Sequence, residues 1–181
     1  MGMIRTGTIG FGDANEEVAT IDSPEKLLVF ARLHGIRTAP LDVRTLAEKL
    51  GIVFVSEKNM GDDISGILEK DENDLWTMRV NGKHHPNRIR YTIAHELGHF
   101  CLHRHQEKFF EDQIFFRGLE RTKTEKQANR FASELLMPES LFQQYLDDGF
   151  TDIESLAKKF GVSTLALRIR AKDIGFTESE I

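Results

Sequence analysis

The sequence predicts an α+β fold in which a small, mostly antiparallel sheet of three strands packs against long helices. Two observations indicate this class. Residues 52–80 contain three short runs rich in β-branched and apolar side chains, which is typical of strands. The segments on both sides of them repeat apolar side chains at helical spacing. A chain of 181 residues is long enough to bury one domain core, and 40% hydrophobic with 29% charged residues is ordinary for a globular protein.

Two helices are predicted before the first strand. The first covers residues 24–34 and ends at Gly35, and the second covers residues 40–50 and ends at Gly51. The glycine-rich start of the chain lacks the apolar stretch of a signal peptide, so residues 1–20 are expected to form a flexible N-terminal arm.

The three predicted strands cover residues 52–55, 65–70 and 75–80. The polar turn 71–74, Asp-Glu-Asn-Asp, joins the second strand to the third, so these two are expected to form an antiparallel hairpin. A long helix then follows, because residues 88–102 place apolar side chains at the spacing of a half-buried helix.

Residues 105–118 show no clear periodicity and are predicted to be irregular, with paired phenylalanines at 109–110 and 115–116. These rings either pack in the core or form a lid over a pocket. Four helices are predicted after them, at residues 122–137, 139–147, 152–160 and 164–174.

The motif His-Glu-Leu-Gly-His at residues 95–99 is the clearest chemical signal in the chain. On a helix, positions 95 and 99 lie on one face about 6 Å apart, so both imidazoles can reach one metal ion. Glu96 projects from the flank of that face, where it is poorly placed as a ligand but well placed to take a proton from a metal-activated water. The motif therefore predicts a zinc hydrolase, with His95 and His99 as ligands and Glu96 as the base.

A catalytic zinc site usually needs a third protein ligand, and the next helix offers two carboxylates. Glu125 lies in line with the apolar stripe of that helix, whereas Glu134 points away from it. We therefore predict Glu125 as the third ligand and Glu134 as a solvated charge. Asn129 follows Glu125 by one turn and is predicted to orient a ligand histidine from behind.

Other residues near the motif are given other roles. His103 is two turns from His95, about 12 Å along a straight helix, so one ion cannot bind both, and His103 is predicted to lie on the surface. His84 and His85 are assigned to a polar turn. Cys101, the only cysteine, is predicted to be part of the core.

Composition excludes several classes of function. No apolar run approaches the roughly 18 residues that a membrane span requires. The net charge of −5 argues against a surface that coats nucleic acid. Residues 152–174 have the spacing of a helix-turn-helix, but residues 150–181 contain five basic and five acidic groups, so we expect packing and no direct nucleic-acid contact. A single cysteine suits the reducing cytoplasm.

Two longer patterns amount to a family likeness. Arg-x-Arg-Tyr-Thr-Ile-Ala-His-Glu-Leu-Gly-His at 88–99 and Glu-x-x-Ala-Asn-x-Phe-Ala-x-Glu-Leu-Leu-Met-Pro at 125–138 resemble the ImmA/IrrE metallopeptidases. Residues 40–52 and 156–163 also resemble the corresponding segments of that family. This sequence differs little from the pattern of that family; one difference is Tyr91, at a position where phenylalanine is common.

The resemblance implies a minimal zincin-like fold, with a metallopeptidase domain over residues 21–149 and a small helical extension over 150–181 packed on the same domain. It implies Zn²⁺ as cofactor, with His95, His99 and Glu125 as ligands and Glu96 as the catalytic carboxylate. It also implies a protein substrate, a DNA-binding repressor of the helix-turn-helix type or an antitoxin-like regulator.

The mechanism expected from these residues is peptide hydrolysis, with the substrate extended along an edge strand, for which residues 75–80 are the choice. Tyr91, His84 and His85 are possible oxyanion donors. The alternative is a regulatory binding protein that holds its partner without efficient turnover, because an intact motif is necessary but not sufficient for hydrolysis.

Overall fold

The computed structural model describes residues 17–113 and 122–176. Residues 1–16, 114–121 and 177–181 lie outside this description, as do most of the predicted N-terminal arm and the predicted Phe115–Phe116 pair. The elements, in chain order, are α1 (Pro24–Leu33), α2 (Val43–Lys49), β1 (Val53–Glu57), β2 (Ile64–Lys70), β3 (Trp76–Asn81), α3 (Pro86–His103), β4 (Phe109–Gln113), α4 (Lys123–Leu136), α5 (Glu139–Asp147), α6 (Ile153–Phe160) and α7 (Thr164–Asp173).

The fold is α+β as predicted, but its sheet has four strands and not three. The strand order is β1-β3-β2-β4, with β1 parallel to β3 and the other two pairs antiparallel. The additional strand, β4, comes from the segment predicted to be irregular. It forms because its backbone pairs with β2, a partner about forty residues away that local periodicity cannot reveal.

The predicted hairpin between β2 and β3 is confirmed. The side chain of Asp71 accepts hydrogen bonds from the backbone N–H groups of Asn73 and Leu75, both at 2.8 Å, which closes the turn. The pairing places Leu68 opposite Met78, and both side chains are fully buried on the face that carries the core.

Helix α3 lies across this apolar face of the sheet. Its N-terminus is defined by Pro86 in the first turn and by the ring of His85, whose Nδ1 accepts a hydrogen bond from the backbone N–H of Asn87 at 3.2 Å. Thr92 and Glu96 of the helix lie against Gly66 on β2, and the histidine face of the helix turns toward α4 and β4. The sheet and α4 thus hold α3 from two sides.

Helices α6 and α7 pack back onto the rest of the described structure. The guanidinium of Arg170 is buried and donates from Nε to the carbonyl oxygen of Met137 at 3.0 Å. The side chain of Asn87 donates to the carbonyl oxygen of Val162 at 2.9 Å. Gly161 separates the two helices with a φ of 67°, which favours glycine. No helix among residues 17–113 and 122–176 combines the length and apolar character needed to cross a bilayer.

Candidate metal centre

Three side chains predicted as metal ligands converge in the structure. His95 and His99 face one side of α3, with their Nε2 atoms 3.1 Å apart. Glu125 in the first turn of α4 reaches across, with Oε1 at 3.0 Å from Nε2 of His99 and Oε2 at 3.4 Å from Nε2 of His95. The ligand atoms all lie within 4.8 Å of one another. Two imidazole nitrogens and one carboxylate are a donor set that suits Zn²⁺.

Helix α4 presents Glu125 because its first turn is well defined. The hydroxyl of Thr122 accepts a hydrogen bond from the backbone N–H of Glu125 at 3.2 Å, which caps the helix. The side-chain amide of Asn129 donates to the carbonyl oxygen of Glu125 at 2.8 Å, and the hydroxyl of Tyr91 donates to that of Asn129 at 3.2 Å. These contacts hold the start of α4 against α3.

Asn129 therefore makes a different contact from the one predicted. Its amide nitrogen bonds to the backbone of the helix that carries Glu125, and not to the ring of a histidine. The rival carboxylate, Glu134, accepts a hydrogen bond from Nε of Arg130 at 2.8 Å and lies outside the cluster of possible ligands.

The carboxylate of Glu96 is fully buried next to this cluster. Among the described residues neither of its oxygens has a hydrogen-bond partner. Burial raises the pKa of Glu96 to about 8 because the charged form is poorly solvated there; the neighbouring His95 opposes this change, and Asp112 and Glu125 add to it. A buried carboxylate without a partner is costly, so this position fits an acceptor that works with a cation and an activated water.

The pKa values of the three possible ligand residues are shifted in different directions. Burial disfavours the charged form of His95, but hydrogen bonding to Glu125 and the charges of Glu96 and Asp112 outweigh this and raise its pKa. For His99 burial dominates, assisted by the charges of His95 and His103, and its pKa is lowered. Glu125 keeps a pKa well below its ordinary value, since hydrogen bonds from both imidazoles outweigh its partial burial.

His103 was predicted to lie on the surface, and this prediction was wrong. The residue is only 2% exposed, because Phe110 on β4 covers this part of α3 with ring centroids 6.2 Å apart. Its Nδ1 lies 3.1 Å from Nδ1 of His99, and its Nε2 lies 3.2 Å from Oε1 of Gln127 on α4. The spacing of His103 along the helix was visible in the sequence, but no local pattern indicated that Phe110 would cover its ring.

Cys101 is buried, as predicted. Burial raises the pKa of its thiol to about 12, so the side chain stays protonated and packs as a small apolar group. Of the four phenylalanines, the two that the structure describes differ. Phe109 is 52% exposed, while Phe110 is buried and stacks on His99 with ring centroids 4.5 Å apart.

A groove of about 1990 Å³ opens beside the three ligand residues. Helices α1, α3, α4 and α7 and strand β4 line it, and both His99 and Glu125 reach it. The choice of residues 75–80 as the edge strand for a substrate was wrong, because β3 lies inside the sheet between β1 and β2. The strand at the edge near the metal residues is β4, whose Glu111 and Asp112 line the groove.

The sheet supports a helix that bears two histidines and a buried glutamate, and the next helix adds one carboxylate that could complete a metal-binding group. This arrangement is typical of a metallopeptidase-like domain. The chain belongs to the peptidase family described as the IrrE N-terminal-like domain, which it matches over residues 47–172. This result confirms the family resemblance stated from the sequence. The matched region contains α3, α4 and the whole described sheet.

Two named relatives support the assignment. Metallopeptidase ImmA of Bacillus subtilis (strain 168) is 26% identical over 132 residues, which cover 71% of this chain and 75% of that protein. The uncharacterized immunity region protein 2 of Bacillus phage phi105 is 30% identical over 105 residues, or 58% of this chain and 63% of that protein.

A solved structure, described as a Mycobacterium tuberculosis transcriptional regulator, has a TM-score of 0.60 to this chain at 19% sequence identity. The match covers 93% of this chain and 54% of the other, so the chain spans about half the length of that protein. At this identity the likeness concerns the fold alone.

Proposed function

We propose that the protein is a zinc-dependent endopeptidase that cleaves a regulatory protein, a helix-turn-helix repressor or an antitoxin-like regulator. One observation carries the proposal. His95, His99 and Glu125 converge within ligand distance of one point, next to a buried Glu96 carboxylate that has no hydrogen-bond partner in the described parts of the chain. Family membership makes a peptidase the natural interpretation of this arrangement.

The residues present fit zinc by their chemistry, with two neutral imidazoles and one carboxylate available. A bound zinc ion would lower the pKa of water toward about 7 and polarise the peptide carbonyl. Glu96 would accept the proton that this water loses and pass it to the leaving amine. Its buried position suits the task because a raised pKa brings the carboxylate nearer to the working pH.

The substrate segment would lie extended along β4. This strand pairs with β2 on one side and forms the edge of the described sheet on the other. Strand addition to such an edge fixes a peptide through its backbone, which suits a protease that reads an extended segment. Glu111 and Asp112 on β4 line the groove, so basic side chains of a substrate would be favoured there.

The names of the relatives support a regulatory substrate. One relative is an immunity region protein of a phage and another is named metallopeptidase ImmA. A DNA-binding repressor acts in the cytoplasm, and a chain whose only cysteine is a buried free thiol fits that compartment. The proposed partner is thus a cytoplasmic protein and not a nucleic acid.

The test is cleavage of candidate repressors by purified, zinc-loaded protein. We expect defined fragments that disappear with a chelator and return with zinc. Glu96→Gln should retain zinc by metal analysis while turnover falls by about 10³-fold or more, since proton transfer is lost. Stable complex formation without fragments would instead favour the regulatory binding protein. Turnover retained by metal-loaded Glu96→Gln would contradict the role of Glu96 as base.

A further inference from the structure

We propose that His103 is a positioning residue that fixes the ring and the tautomer of His99, the second metal histidine. This inference rests on the proposed metal centre. His103 lies on the Nδ1 side of the His99 ring, away from the Nε2 atom that would bind the metal. The observations are two ring-nitrogen contacts, the burial of both side chains and the position of Gln127.

The two nitrogens of His99 point to different partners. Nε2 faces Glu125 and Nε2 of His95, at 3.0 and 3.1 Å. Nδ1 faces Nδ1 of His103 at 3.1 Å. Both histidines are 2% exposed, so water cannot easily replace the contact between them.

These contacts allow only one arrangement of protons once a metal is bound. A metal on Nε2 of His99 requires the proton of the neutral ring to be on Nδ1, where it must donate. The acceptor it meets is Nδ1 of His103, which must then carry its own proton on Nε2. That second proton needs an acceptor on the far side of the His103 ring.

Gln127 supplies this acceptor. The atom 3.2 Å from Nε2 of His103 is Oε1, the carbonyl oxygen of the amide, which can only accept. The chain of bonds therefore runs from His99 through His103 to Gln127 with every donor meeting an acceptor.

The ring of His99 is thereby held in two directions. Phe110 stacks on its face at 24° between ring planes, and His103 holds its edge. Because Gln127 lies two residues after Glu125 on α4, the same chain of bonds links α3 to the helix that provides the acidic ligand. Partners of this kind orient metal histidines and raise their basicity, and losing one typically costs 10- to 100-fold in metal affinity.

The first experiment measures zinc affinity by competition with a chromophoric chelator. His103→Leu keeps the approximate volume but has no acceptor, and we expect zinc to bind 10- to 100-fold more weakly. His103→Asn places an amide oxygen close to the position of Nδ1 and should restore the affinity to within about threefold of the wild type. His34→Leu, on a histidine near the end of α1 that pairs with Glu17, is the control and should leave zinc affinity unchanged.

The second experiment observes the protons directly. Long-range ¹H–¹⁵N spectra of the zinc-bound wild type should show His99 protonated on Nδ1 and His103 protonated on Nε2. A packing role alone would not require this pair of tautomers. The spectra also decide the question if His103→Leu fails to fold.

The outcomes separate this proposal from the proposed function. Wild-type protein that binds no zinc would overturn the metal centre and this proposal together. Wild-type protein that binds zinc, with His103→Leu binding equally well or with His103 protonated on Nδ1, would overturn the role of His103 alone.

Discussion

The carboxylate of Glu96 packs directly over the backbone of Gly66, at the point where β2 passes beneath α3. A β-carbon added at Gly66 would lie 2.8 Å from Oε1 of Glu96 and 2.6 Å from a methyl group of Thr92. Both contacts are shorter than van der Waals distance. The absence of a side chain at Gly66 is therefore what makes room for the buried carboxylate.

Gly66→Ala should displace Glu96 and lower peptide cleavage, with little change in zinc binding. Neither Gly66 nor Thr92 belongs to the proposed ligand group, so we expect zinc affinity to be nearly unchanged. We expect kcat to fall by about 10- to 100-fold, because a misplaced base transfers a proton less efficiently. Overpacking should also lower the free energy of unfolding by about 1–3 kcal/mol. Gly61→Ala, where the nearest contact of an added carbon is 4.0 Å, is the matched control. Unchanged kcat in Gly66→Ala would show that this contact does not position the base.

Gly98→Ala should weaken zinc binding by separating the two helices that carry the ligands. A β-carbon there would lie 3.0 Å from the carbonyl oxygen of Ala128 and 3.2 Å from Cβ of Phe131, and backbone cannot yield as a side-chain end does. Higher helix propensity would favour alanine by about 1 kcal/mol. Overpacking costs about 1–3 kcal/mol, so we expect net destabilisation in urea unfolding and weaker zinc affinity by competition titration. A variant that is more stable and binds zinc normally would mean that α4 moves freely.

Local pattern was sufficient for the helix of the motif and for the convergence of His95, His99 and Glu125. Four-residue spacing places His95 and His99 on one face whatever the rest of the chain does, and the apolar stripe of α4 orients Glu125 toward them. Likewise, two short apolar runs joined by an acidic turn were sufficient for the β2–β3 hairpin.

Long-range pairing accounts for what sequence missed. β4 is a strand because β2 lies beside it, and strand order decides whether residues 75–80 form an edge. The burial of His103 follows from the same event, since Phe110 reaches α3 only after β4 has joined the sheet. Helix geometry predicted that His103 and His95 are too far apart to share one ion. It gave no information on which other group would cover that ring.

Glu125→Gln should abolish tight zinc binding, whereas Glu134→Gln should not, because only Glu125 lies with the two histidines. We expect the affinity to fall by more than about 100-fold in Glu125→Gln, since one of three protein ligands loses its charge. Competition titration with a chelator of known affinity measures this. Equal losses in the two variants would contradict the assignment of Glu125.

Glu125→Gln should also change the stability of the metal-free protein, by an amount that depends on pH. The pKa of Glu125 is lowered, so its contribution is present above its ordinary value of 4.5 and is lost as the pH falls. The pKa of His95 is raised, so its contribution is present below its ordinary value of 6.5 and is lost as the pH rises through the folded value. Urea unfolding in a chelator should therefore show the largest destabilisation of Glu125→Gln between these pH values. A loss that does not change from about pH 5.5 to about pH 9 would contradict the paired titration.

Glu96→Gln should stabilise the metal-free protein at alkaline pH. The pKa of Glu96 is raised from 4.5 to about 8, so between these pH values the carboxyl group ionises in the unfolded chain but stays protonated in the folded protein. The folded state therefore loses stability as the pH rises through this interval. Glutamine has no charge to bury, and its advantage should grow above about pH 4.5 and level off near pH 8, reaching on the order of 5 kcal/mol. Urea unfolding of both proteins in a chelator measures the difference, with Glu72→Gln in the exposed turn as a control. The advantage should shrink with zinc, because a nearby cation stabilises the ionised carboxylate. If Glu96→Gln were no more stable than the wild type at pH 8, Glu96 would have to ionise without cost in the folded protein.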